Sequence, residues 1–228
     1  MFDKKEHEEK MKEILLAVYA DKEIAGKLAF KGGTCCYLFY DLPRFSVDLD
    51  FTLLEPAANK LVYDKVHKIV KPLGPIRDKQ NKFYSVFFSL SYRQFTQNIK
   101  VEISKRPCKS DRTEIKNYMG LPIQVLTQDV MTAHKFVALT TRRLLKQRDI
   151  FDCWFFLKNH WPVSEEAILE ETGLSYPVYL KKMLEFLEEN KNVDMLHGLG
   201  ELLETKQKSF VKNKLLPELI QLIKIKLS

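Results

Sequence analysis

Apolar positions along the chain change period several times, and each change predicts an element. Met11, Ile14, Leu15 and Val18 recur at helical spacing, so residues 4 to 20 predict an amphipathic packing helix. A second short helix is expected over 21 to 28, and another over 34 to 40, ended near Asp41-Leu42-Pro43. Residues 47 to 54 alternate instead, as a half-buried strand does, and Pro56 closes them. Leu61, Val62, Val66, Ile69 and Val70 restore helical period over 57 to 72, before a break at Lys71-Pro72-Leu73-Gly74-Pro75. Strands are expected at 83 to 92, 99 to 104 and 121 to 126, with loop between 105 and 120. Thr127-Gln128-Asp129 offers capping chemistry for a helix from about 128 to 145. Beyond Met131 the pattern is helical to the end, broken near Trp161-Pro162, Gly173 to Pro177 and Gly198 to Gly200. The fold class is therefore α+β: a small mixed-sheet domain over 1–127, then a helical bundle over 128–228.

Composition narrows the class. With 228 residues and 45% apolar content, the chain builds one domain or two small ones with a real core. No apolar run approaches the roughly 18 residues of a membrane span, and the charged N-terminus is no signal peptide. Four cysteines without a CxxC pair suit a reduced, cytoplasmic chain, with Cys35 and Cys36 as small core residues. None of the histidines has the local spacing of a metal site, and His134 is expected to pack or be solvated. The net charge is +7 but uneven: residues 60 to 148 hold 19 Lys/Arg against 6 Asp/Glu. A cationic middle so concentrated points to a polyanionic partner.

The chemistry gathers between Phe30 and Leu54. Gly32-Gly33-Thr34 is followed, after 13 residues, by Asp48-Leu49-Asp50. On a strand Asp48 and Asp50 share one face, while Val47, Leu49 and Phe51 take the other. Two neighbouring carboxylates repel unless a cation sits between them, and Mg2+ takes oxygen ligands. Paired glycines allow close backbone approach to a ligand, and a helix starting at Thr34 would offer free N–H groups to phosphate. Glu102 lies in phase on a later strand.

These residues resemble a known signature. Lys31-Gly32-Gly33-Thr34 followed by Arg44-Phe45-Ser46-Val47-Asp48-Leu49-Asp50 is similar to the AbiEii/AbiGii toxin family, within the polymerase-β-like nucleotidyltransferases. A second match runs from His134-Lys135 to Arg148-Asp149 and Asp152, like the family's lysine-bearing helix and Arg-Asp-x-x-Asp element. The resemblance implies NMP transfer from an NTP to an acceptor hydroxyl, with two Mg2+ ions on Asp48, Asp50 and Glu102. It places Gly32, Gly33, Thr34, Arg44, Ser46, Arg148, Asp149 and Asp152 at the nucleotide, with Lys135 as a catalytic cation. Asp149 and Asp152 would orient Lys135, accept from ribose, or hold Arg148. It further implies the toxin of a type IV toxin–antitoxin or phage-defence system, with a cognate antitoxin, acting on RNA such as the tRNA end. The alternatives are a small-molecule nucleotidyltransferase of the antibiotic-modifying kind, and a silent nucleotide- or RNA-binding module.

Overall fold

The computed structural model describes residues 3–93, 97–106 and 108–228, and the side chains of 93 and 97 lie outside that description. Pro107, in the stretch expected as loop, is likewise outside the described residues. The chain divides into two compact units. One comprises 1–41, 45–107 and 113–126; the other comprises 42–44, 108–112 and 127–228. No helix among the described residues is long and apolar enough to cross a membrane.

The first unit is built on a mixed sheet. Its strands are β1 (Leu28–Lys31), β2 (Asp48–Leu53), β3 (Ile76–Asn81), β4 (Ser85–Arg93), β5 (Gln97–Ser104), β6 (Thr113–Tyr118) and β7 (Leu121–Leu126), in the order β3-β4-β5-β2-β1-β7-β6. β2 runs antiparallel to β1 and parallel to β5, while β1 runs parallel to β7. Leu49, Phe51, Val86, Phe88, Val101 and Ile103 are fully buried on one face. Helices α1 (Lys4–Ala20) and α3 (Asn59–Val70) cover that face, with Tyr19 against Phe51 and Tyr63 against Phe88. A third helix, α2 (Gly32–Phe39), follows β1 directly. The Tyr19 hydroxyl pins the sheet's middle, donating toward the carbonyls of Gln124 at 2.6 Å and Leu28 at 3.1 Å and accepting from the Phe30 N–H at 3.0 Å.

Three elements differ from the sequence expectation. Residues 21 to 28 were expected as a helix, but only Ala25–Lys27 makes a 3₁₀ turn before β1 begins at Leu28. β1 is a short apolar run buried in the sheet's centre, and such a run has no period to betray it. β3 falls just after the break, in a stretch for which no element was expected, and β6 in one read as loop. These two form the edges of the sheet. Edge strands face water along one side and carry charge in place of apolar alternation. β6 joins β7 through Met119 and Gly120, both at positive φ, the two-residue turn that matches strand twist.

The second unit is helical: α4 (Gln128–Thr141), α5 (Gln147–Lys158), α6 (Glu165–Thr172), α7 (Tyr176–Glu189), α8 (Thr205–Asn213) and α9 (Leu215–Leu227). α9 packs on α5 and α7, and α4 packs on α5 and α6. Its core holds Phe136, Phe151, Phe156, Tyr179, Met183, Leu219 and Ile223. Ser164 caps α6, and Gly173 ends it in the left-handed conformation. Residues 42–44 join this unit, where the Gln207 side-chain amide donates to the Pro43 carbonyl at 2.6 Å.

Candidate active site

In the sheet unit, register brings the expected carboxylates together. β2 and β5 pair Asp48 with Lys100 and Asp50 with Glu102, so all four side chains share one face. β1 adds Lys31 opposite Asp50 on the same face. Leu49 and Phe51 are buried on the reverse side, so burial of β2 fixes the direction of both aspartates. Asp48 and Asp50 are half-buried, and Glu102 is exposed.

The Gly-Gly-Thr turn backs directly onto this face. Gly32 has φ +79°, and a Cβ there would lie 2.4 Å from Asp50 Oδ2. Only glycine allows the helix to start so close to a carboxylate. Gly33 is buried in the first turn of α2. The Thr34 hydroxyl donates to the backbone carbonyl of Asp48, tying α2 to β2 at the site's edge.

A residue that pattern reading overlooked holds the neighbouring carbonyl. His7, buried in α1, donates from Nε2 to the Val47 carbonyl at 2.9 Å, and its Nδ1 lies 2.7 Å from the Tyr92 hydroxyl. Burial pushes its pKa below the usual histidine value, against the pull of the Val47 carbonyl and Asp48, so the ring is neutral. Its sequence signal was weak, because it sits between lysines and glutamates on an amphipathic helix. Val47 and Asp48 thus have consecutive carbonyls fixed by His7 and Thr34.

The second constellation forms a buried ionic cluster in the helical unit. Lys135 on α4 places its ammonium 2.8 Å from Asp149 Oδ1 and 2.9 Å from Asp152 Oδ2, both on α5. Arg44 grips Asp152 with two hydrogen bonds, Nε to Oδ1 at 2.6 Å and a terminal nitrogen to Oδ2 at 2.7 Å. Both of those side chains are essentially inaccessible to solvent. Arg142 Nε lies 3.1 Å from Asp149 Oδ2. Burial opposes charge on both Lys135 and Asp152, yet the facing partners prevail. Asp152 and Asp149 hold Lys135 protonated well above its ordinary value, and Arg44 and Lys135 hold Asp152 below the usual carboxylate range. Asp149 and Asp152 thus both meet the Lys135 ammonium. Arg44, expected at the nucleotide, is here the partner of Asp152. Ser46 is buried, and Arg148 is half-buried in the first turn of α5.

The site's donor set is anionic and all oxygen, which suits a hard divalent ion such as Mg2+ better than a softer metal. Several solved structures share this fold. JHP933 from Helicobacter pylori is 22% identical with TM-score 0.60, covering 98% of this chain and 93% of its own. MenT4, a nucleotidyltransferase toxin from Mycobacterium tuberculosis, is 16% identical with TM-score 0.52, covering 92% and 81%. An antigenic nucleotidyltransferase-like protein from Paracoccidioides brasiliensis is 15% identical with TM-score 0.50, covering 84% and 94%. No curated protein matches the chain significantly by sequence. The family model described as "Nucleotidyl transferase AbiEii toxin, Type IV TA system" matches residues 13–216. The chain belongs to this family, and its enzymatic class is nucleotidyltransferase.

Proposed function

We propose that this chain moves an NMP from an NTP to an acceptor hydroxyl of RNA, the tRNA end in particular, as a cytoplasmic toxin restrained by a cognate antitoxin. The observation that carries the reading is the shared face of β2 and β5, with Asp50 level with Glu102 and Gly32 packed against Asp50. Asp48, Asp50 and Glu102 would hold Mg2+, two ions on this reading, supplying charge neutralisation at the attacking and leaving oxygens.

The chain's own groups bind and orient. Peptide N–H groups at the first turn of α2 donate to β- and γ-phosphate oxygens. Glu102, exposed on its strand, takes the proton of the acceptor hydroxyl. That oxygen bonds to the α-phosphorus as the bond to the bridging oxygen breaks, and pyrophosphate leaves. Lys135 directs two N–H groups at Asp149 and Asp152, and its third is the donor proposed for phosphate oxygen. Ser46 and Arg148 are proposed as nucleotide contacts on the motifs alone.

An RNA acceptor is favoured by the cationic middle of the chain and by one end of the sheet. There Phe83 is 84% and Tyr84 55% exposed, and Arg106 stacks over Tyr84 at 5.3 Å. Lys82 and Lys105 flank them in the chain. Exposed aromatics beside cations suit stacking of unpaired bases. The test is incubation with each labelled NTP and total RNA, with and without Mg2+. Wild type should label RNA only with Mg2+, while Asp48→Asn and Asp50→Asn abolish labelling and keep their fold. Full activity in both variants overturns the site, and label moving only to small molecules overturns the acceptor.

A further inference from the structure

A second group of metal-ligating side chains lies wholly in the helical unit. Cys108 and Asp111 sit in the segment between β5 and β6, His134 on α4 and Glu171 on α6. The Cys108 thiol, an Asp111 carboxylate oxygen and a His134 ring nitrogen all lie within 4.8 Å of one another. His134 Nε2 is 3.1 Å from Asp111 Oδ1 and 3.2 Å from Glu171 Oε1.

Two features point to a cation. One nitrogen faces two carboxylates, and a single N–H cannot serve both with good geometry. Moreover, Asp111 is only 8% exposed, and its Oδ1, aimed at this cluster, is buried without a hydrogen bond. A buried carboxylate oxygen in that state is costly unless something positive meets it.

We propose that Cys108, Asp111, His134 and Glu171 form a structural zinc site. Zinc takes sulfur, imidazole nitrogen and carboxylate oxygen in a tetrahedron with ligand–ligand spacings of roughly 3.4–3.6 Å. The nitrogen–oxygen pairs stand a few tenths of an ångström inside that range; the Cys108 sulfur, 3.1 Å from the Ser110 hydroxyl, must swing inward, and the exposed Glu171 must close on the other three, whose ligand atoms lie within 4.8 Å of one another. A thiol excludes Mg2+ as the preferred ion, so this site is chemically distinct from Asp48 and Asp50. The backbone is already set for it: Glu170 accepts from the N–H groups of Lys109 at 2.8 Å and Ser110 at 2.9 Å, fixing the turn that carries Cys108 and Asp111. Bound zinc would staple this segment to α4, one residue before Lys135.

The experiment is metal analysis of the full chain after gel filtration in zinc, followed by cobalt substitution. Wild type should retain about one zinc per chain, and its cobalt form should show thiolate-to-metal charge-transfer absorption. Zinc should also raise the Tm of chelator-stripped protein. Cys108→Ser should abolish the charge-transfer band, and His134→Gln should weaken zinc binding by at least the roughly 10- to 100-fold that loss of a mere supporting partner costs. Asp48→Asn should retain the zinc, which separates this site from the nucleotide site. Stripped wild type that binds no zinc, or Cys108→Ser protein that binds cobalt with an unchanged spectrum, overturns the proposal. His134 would then be held only by its contacts with Asp111 and Glu171.

Discussion

Gly32→Ala probes the close approach of α2 to Asp50 in the candidate active site. A methyl group at this position would start 2.4 Å from Asp50 Oδ2, roughly 0.6 Å inside the nearest approach that carbon atoms make. The backbone cannot relieve the clash cheaply, because φ is already +79°. An L side chain in the left-handed region costs about 1–2 kcal/mol. For a chain of this size that corresponds to a Tm loss of roughly 2–8 °C. The larger effect should be on turnover. A 1 Å misplacement of a reacting group costs about 100-fold, so a carboxylate pushed aside by half that or more should lose roughly 10- to 100-fold. The assay is NMP transfer measured well below the variant's Tm, beside thermal unfolding. Gly26→Ala is the control, since no atom lies within 4 Å of its added methyl. If Gly32→Ala unfolds earlier but turns over at the wild-type rate, the link between this glycine and Asp50 is refuted. If it also keeps the wild-type Tm, the clash itself is refuted.

Asp152→Asn should destabilise the fold by about 3–5 kcal/mol, because it removes the charged carboxylate that meets two buried cations, Arg44 and Lys135; an unchanged denaturant midpoint would refute this. The cluster's pH window follows from its shifts: Asp152 contributes above the ordinary aspartate range and fails as pH falls, while Lys135 contributes up to the ordinary lysine range and fails only above it. His7 behaves in the opposite sense to a paired cation. Its folded value is lowered, so the unfolded chain takes up the proton first and stability declines as pH falls below about 6.5, by at most about 1.4 kcal/mol per unit. His7→Gln should flatten that decline, and an identical pH profile in the variant would count against a buried neutral ring. Phe83→Ala with Tyr84→Ala should weaken RNA binding by about 1–3 kcal/mol per lost stack without shifting the NTP affinity. Equal RNA affinity for variant and wild type would move the acceptor surface elsewhere.

The central strand and its chemistry were readable because both follow a period of two. Leu49 and Phe51 had to be inside, which put Asp48 and Asp50 together, and the same phase placed Glu102. What the pattern could not carry was anything whose partner is far away in sequence. β1 is too short to show a period, and β3 and β6 carry the charges of sheet edges. Lys135, Asp149 and Asp152 were legible as a group, but the fork from Arg44 to Asp152 spans 108 residues and leaves no local trace. The same holds for Cys108, Asp111, His134 and Glu171. Three separate segments supply them, so the short ligand spacings by which zinc sites are recognised do not occur.

The imidazole of His7 touches both sides of the entry to β2, with Val47 on one nitrogen and Tyr92 of β4 on the other. It lies outside residues 13–216, the part of the chain that the family model matches. It is therefore a natural reporter: a ring resonance with two defined hydrogen-bond partners, one residue removed from Asp48. Movement of β2 against β4 when nucleotide binds would register at that ring in an NMR spectrum, without a label placed in the site. A fusion or truncation that disturbs the first turns of α1 would silence that signal and loosen the strand together.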